Sequence, residues 1–197
     1  MRTWVGIDPG ITGCVMVLKP DGTAQAFDTP FVEVPVHKQL PDKATGKLVS
    51  KTVIRRVFDS RQMCALLNSI RDEAFDAGAK IFVTIEEVNG MPARGPGGKK
   101  IKIGATSAFL FGFGYGLWCM ALVALRIRHR TVRPAVWKKA LLPDRLDDLG
   151  EARVAQRLCP ATAGLLYGPK GGVITGRVDA TLLAQYGLAV ATPDLLG

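Results

Sequence analysis

Asp8, Glu86 and Asp179 stand out for where they fall in the chain. Asp8 closes the apolar run Trp4-Val5-Gly6-Ile7 and is followed at once by Pro9-Gly10. Glu86 closes a second apolar run, Ile81 to Ile85. Asp179 lies in Gly176-Arg177-Val178-Asp179-Ala180, in the first turns of a segment with helical character. Two strands side by side, with a helix crossing their ends, would bring the acids together. Converging carboxylates repel one another unless a cation sits between them. Mg2+ favours carboxylate oxygens and keeps waters for chemistry. Two such ions, about 4 Å apart, activate an attacking water and stabilise the leaving oxygen of a phosphodiester. Each acid also has an ordinary explanation. Asp8 can be a turn former before Pro-Gly, Glu86 a solvated strand end, and Asp179 a stabiliser of its helix N-terminus. The inference rests on the three in this order on a basic chain.

That chain has 197 residues, enough for one domain, 1–197, with a proper core. Its formal charge of +9 and pI of about 9.7 point to a polyanionic partner, nucleic acid ahead of a membrane surface. A hydrophobic content of 48% and a charged content of 22% exclude a disordered chain. Cys14, Cys64, Cys119 and Cys159 are isolated, with no C-x-x-C pair, which argues against zinc and for reduced cysteines in a reducing compartment. The N-terminus opens directly on a strand, without a signal-peptide pattern. Ala105 to Leu125 is long enough to raise the membrane question. Its Thr106, Ser107 and glycines favour a buried central helix and no membrane span. Gly112, Gly114 and Gly116 follow no strand, so they are not a dinucleotide fingerprint. They read as a place where two backbones approach, in the core or across a dimer seam.

Three strands, Thr3–Ile7, Gly13–Lys19 and Ala24–Asp28, are separated by short turns and form an antiparallel meander. Phe31–His37 is positioned to extend it, and Leu40–Ser50 reads as an exposed loop. Asp59 with Gln62 starts a helix from Ser60 to Ala77, closed by Gly78. Ile81–Val88 is a buried strand, Asn89–Gly104 a mobile Gly- and Lys-rich loop, and Leu125–Val132 a further strand. Pro134 opens a short helix through Leu142, and Asp148 with Glu151 caps a helix over Ala152–Leu158. Ala161–Val173 is loop, and a helix from Gly176 to Leu188 closes the chain. The order predicts an α/β fold built around a mixed sheet.

Taken together, Gly6-Ile7-Asp8-Pro9-Gly10 with Thr12-Gly13, Ile85-Glu86-Glu87-Val88, Ser107-Ala108-Phe109-Leu110-Phe111-Gly112, Val132-Arg133-Pro134-Ala135-Val136-Trp137-Lys138 and Gly176-Arg177-Val178-Asp179-Ala180 keep one recognisable order. The set resembles the RuvC-type Holliday junction resolvases of the RNase H-like nuclease superfamily, most closely their phage-like and organellar branch. The resemblance covers nearly the whole chain. It implies a three-layer sandwich around a five-stranded mixed sheet, with the first three strands antiparallel and the last two parallel to the first. It also implies a homodimeric endonuclease that nicks four-way branched DNA in pairs, with Mg2+, replaceable by Mn2+, and no nucleotide cofactor. It makes Asp8, Glu86 and Asp179 the catalytic metal ligands and leaves Glu87 out. A cytoplasmic enzyme of bacterial or phage origin follows, with an organellar source left open.

This chain departs from the family at Thr175, where a further acid is usual one turn before the last. Positions 175 and 179 share a helix face, and a hydroxyl is a poor replacement for a charge. A junction-binding protein that cuts weakly or not at all is the alternative reading. In the loop after Glu86, Met91 is the candidate wedge between bases, and Arg94, Lys99, Lys100 and Lys102 are candidate phosphate contacts. Lys138 and Arg177 complete the expected DNA-binding set. Arg126, Arg128 and Arg130 alternate, which predicts one basic strand face of unassigned purpose. An actin-type ATP-dependent kinase opens with a similar Gly-x-Asp-x-Gly, but the second phosphate loop and the length it needs are missing.

Overall fold

A computed structural model of the protein describes residues 1–42, 46–88, 104–143 and 146–191. Strand β1 (Arg2–Asp8) lies at the centre of a five-stranded sheet. It pairs antiparallel with β2 (Cys14–Leu18), which pairs antiparallel with β3 (Ala24–Asp28). A long antiparallel ribbon, β4 (Phe31–Pro41) with β5 (Leu48–Phe58), follows as a separate sheet. Helix α1 (Ser60–Asp76) then leads to β6 (Lys80–Glu86), which runs parallel to β1 on its other side. Helix α2 (Ala105–Ala124) leads to β7 (His129–Val132), parallel to β6 at the sheet edge. Helices α3 (Pro134–Leu141), α4 (Asp148–Leu158) and α5 (Thr175–Ala191) complete the chain, with a short 3-10 helix at Pro160–Leu165. The sheet order is β3-β2-β1-β6-β7, and its strand directions are those the resemblance implies.

Alternation along the strands creates two cores. Val5, Ile7, Val83 and Ile85 point toward α1 and α2 and join Met63, Leu67, Trp118 and Leu122. Trp4, Met16 and Leu18 point the other way, toward α3, α4 and α5, and join Trp137, Ala155, Leu182 and Leu183. Period-two side chains on strands buried on both faces produce this three-layer arrangement. Helix α5 approaches β1 closely because Gly6 has no side chain: a Cβ there would lie 1.9 Å from the Ala180 carbonyl oxygen.

Several sequence expectations are corrected. Phe31–His37 does not extend the meander. It pairs with Thr52–Phe58 in the separate ribbon, and strand structure takes in both ends of the expected Leu40–Ser50 loop, at Leu40–Pro41 and Leu48–Ser50. Among the described residues of the ribbon only Phe58 is buried, so its sequence mixes valines with lysines and arginines. Helix α2 is not a buried central helix. Its Gly114, Trp118 and Leu122 face the protein, while Phe109, Met120 and Val123 are 70%, 64% and 59% exposed. Its length and composition alone would suit a membrane span, yet one face packs on the sheet. Of its glycines, Gly114 is pressed by the Phe58 ring, whereas Gly112 and Gly116 face open space. Strand β7 starts later than expected because α2 ends in a Schellman motif. Ile127 N–H donates to the Leu122 carbonyl at 2.9 Å and Arg126 N–H to Val123 at 3.0 Å, with Arg126 at φ 54°. Helix α4 is capped one residue earlier than read, by Asp147, whose Oδ1 accepts the Gly150 amide at 2.8 Å.

Candidate active site

The acids meet at one end of the sheet. The β1–β6 register pairs Ile7 with Ile85, so Asp8 and Glu86 end adjoining parallel strands at matching positions. Both face the α5 side, as period-two alternation from Trp4 and Phe82 requires. The N-terminal turn of α5 closes over Asp8: a Cβ on Gly176 would lie 3.1 Å from Asp8 Oδ2 and 2.5 Å from the Thr12 carbonyl oxygen. Its positive end favours a carboxylate there. One turn further along α5, Asp179 joins the group. The motif glycines and Ala180 are therefore packing requirements that place the acids.

Helix α3 supplies the remaining parts. Trp137 is fully buried, and its Nε1–H donates to Glu86 Oε1 at 2.9 Å. The neighbouring Lys138 Nζ donates to both Glu151 oxygens at 3.1 and 3.2 Å and lies 3.7 Å from Asp179 Oδ1. Glu151, on α4, has a side chain only 17% exposed. The Gly10 amide donates to Asp8 Oδ1 at 3.2 Å.

Burial is the main cause of the shifted acidities. It raises the Asp8 carboxyl above its ordinary value, opposed by the Gly10 amide and the Lys138 charge. Burial also pushes Glu86 up to about 7, with the Trp137 bond opposing and Asp8 reinforcing. Asp179 is raised to about 7 by burial, against Lys138 and with Glu86 and Asp8. For Lys138, burial pulls downward, but Asp179 and Glu151 outweigh it and its pKa rises. The site is thus a set of desolvated carboxylates sharing the field of one ammonium group. Carboxylate oxygens are the donors that a hard divalent cation prefers. Among the described residues, no three acidic, His or Cys side chains are close enough to hold one ion in this arrangement; Lys138 supplies the positive charge instead.

The other expected site residues fall as follows. Thr175 is the first residue of α5 and is exposed. Arg177 is turned onto the protein: its Nε and Nη2 donate to Asp28 at 2.7 and 2.8 Å, and its Nη1 to the Leu165 carbonyl at 3.0 Å. This clasp ties α5 to the end of β3 rather than offering the guanidinium to DNA. Met91, Arg94, Lys99, Lys100 and Lys102 lie outside the described residues. Glu87 acts on Tyr115 of α2, away from the acids. Sequence reasoning missed Glu151 and Trp137 as site residues. Glu151 carried a signal only as a helix-start acid, and nothing local linked it to Lys138.

No protein-family model matches the chain, and no curated protein sequence does. Among solved structures, it is similar to RuvC of T. thermophilus in complex with a Holliday junction substrate. That match has a TM-score of 0.52 at 13% identity and covers 98% of this chain and 96% of that one. A second RuvC structure, from Thermus thermophilus, gives a TM-score of 0.48 at 15% identity, covering 98% and 97%. The fold is RuvC-like, an α/β RNase H-like architecture.

Proposed function

We propose that this protein is a divalent-metal-dependent endonuclease that resolves four-way DNA junctions by paired nicking, working as a homodimer in a reducing, cytoplasmic setting. The observation that carries the reading is the meeting of Asp8, Glu86 and Asp179, from two parallel strands and a crossing helix, at one end of a RuvC-like sheet. Branched DNA as the substrate class is supported by the junction bound to the similar T. thermophilus protein.

Asp8, Glu86 and Asp179 would hold Mg2+ or Mn2+, which when bound supplies Lewis acidity and activates water for phosphodiester hydrolysis. The Trp137 bond fixes Glu86 through Oε1. The Gly10 amide orients Asp8 in the same way. Lys138, held by Glu151, stays at the rim of the acids as a donor to a phosphate oxygen once a cation takes over the charge balance. Met91, Arg94, Lys99, Lys100 and Lys102 belong to the proposed DNA-contacting set. The dimer reading is supported by the exposed apolar side of α2, where Gly112 and Gly116 leave room for a second backbone.

The exposed Thr175 and the spread acids favour one second reading, a junction-binding protein with weak or no cutting. Cleavage of a synthetic four-way junction, with and without Mg2+, tests both. The wild type is expected to nick opposing strands, and Asp8→Asn to lose about a thousandfold in rate, or about 4 kcal/mol of transition-state stabilisation. Full activity of Asp8→Asn refutes the nuclease reading. Tight junction binding without cutting, switched on by Thr175→Asp, establishes the second reading.

A further inference from the structure

The sheet face that carries Glu86 also carries a row of basic side chains. The register pairs Thr84 with Arg130 and Glu86 with Val132, so Arg130 lies on the α5 side, and Arg128 reaches the same side to stack on Phe82. A cavity of about 470 Å³ opens there, with Arg2, Lys80, Arg128 and Arg130 around Trp4 and Phe82. Among the described residues, no carboxylate lines it. Among the described residues, none of these four cations forms an ion pair.

Two of the cations are held by an aromatic ring. Arg2 lies 5.6 Å and Arg128 5.1 Å from the Phe82 centroid, and Trp4 stacks on Phe82 at 5.2 Å. A ring positions a guanidinium without neutralising it. The four charges therefore repel one another and project an uncompensated positive field into a concave space, which focuses it on an anion. The location narrows the class of anion. At about 3.3 Å per residue, Arg130 and Arg128 sit about 7 and 13 Å along the strand from Val132, the partner of Glu86. Basic groups spaced along a line that leads to the acids match a repeating phosphate backbone better than a single small anion.

We propose that this cavity is a second DNA site, which grips the sugar-phosphate backbone of the strand leading away from the acids. It rests on the nuclease reading above. It also assigns a role to two of the three alternating arginines: Arg128 and Arg130 are turned toward DNA, whereas Arg126 occupies the turn that ends α2. The contact reads phosphates, so its contribution is independent of sequence and is lost with salt.

The test uses the full-length protein and a four-way junction without divalent metal, with binding followed by fluorescence anisotropy over a salt series. In Lys80→Ala/Arg130→Ala, the slope of log K against log salt should become shallower by about 1.8, about 0.9 for each phosphate contact. Single-turnover cleavage at saturating protein, with Mg2+, should stay at the wild-type rate. Both positions are exposed, and Arg130→Glu alone provides a second variant whose larger loss checks the same site. Arg61→Ala, on the outer face of α1, should leave the slope unchanged. A wild-type slope in both cavity variants overturns the proposal, as does pyrophosphate or a nucleoside triphosphate occupying the cavity while the slope is unchanged. A wild type that binds junctions through this cavity but never cuts removes the nuclease reading and keeps the site. A wild type that binds no DNA removes both.

Discussion

Glu86 and Asp179 both hold their protons up to a pH of about 7, and burial is the first cause in each. A carboxyl whose pKa is higher in the folded state than in the unfolded chain binds its proton more tightly when folded. Its effect on stability is absent well below the unfolded value and becomes increasingly unfavourable as pH rises toward the folded value. The metal-free protein should therefore lose stability between about pH 4 and pH 7 through these groups. Asp179→Asn removes one buried charge while Lys138 keeps its bonds to Glu151. It should melt several degrees above the wild type at pH 8, on the order of 1–3 kcal/mol, with the gain vanishing near pH 4. Equal melting temperatures at pH 8 would show that Asp179 is not a strained anion. Mg2+ should narrow the difference, because binding requires deprotonated ligands and releases their protons.

Among the elements, the β4–β5 ribbon is the part least supported by the rest of the protein. An isolated two-stranded ribbon is marginal in water, so its cross-strand pairs matter. Val36 faces Val53 and helps hold the strands together, whereas Lys38 lies directly opposite Lys51. Like charges in that position destabilise by a few tenths of a kcal/mol. Lys51→Glu should turn the repulsion into a pair and gain about 0.5 kcal/mol, read as slower amide hydrogen exchange in the ribbon. Unchanged exchange would mean the two ammonium groups do not interact. Val32, Val34 and Val36 made the first strand legible from alternation. The second was obscured because lysines and arginines occupy positions that a covered sheet would make apolar. Helix α2 misled for the opposite reason: an almost uniformly apolar helix does not indicate which side the protein covers.

For the molecule as a whole, the exposed side of α2 carries the dimer reading. Met120 and Val123 project from it, clear of the buried Trp118 and Leu122. Met120→Glu should leave the melting temperature within about 2 °C, as surface changes usually do. It should convert the proposed dimer to a monomer, as read by light scattering. A variant that remains dimeric would move the seam elsewhere. The three-strand meander, the acids at strand ends, the Asp59 cap and the basic charge were all readable along the chain. Each is written in near-neighbour patterns: alternation, turn residues and a helix-start carboxylate. The link between Trp137 and Glu86, the place of Lys138 between Glu151 and Asp179, and the basic cavity beside β7 emerged only when the layers closed. Those contacts join residues far apart in the chain. Their partners are selected by packing, through the missing side chain at Gly6, the buried ring of Trp137 and the register of two parallel strands, and no local pattern encodes that selection.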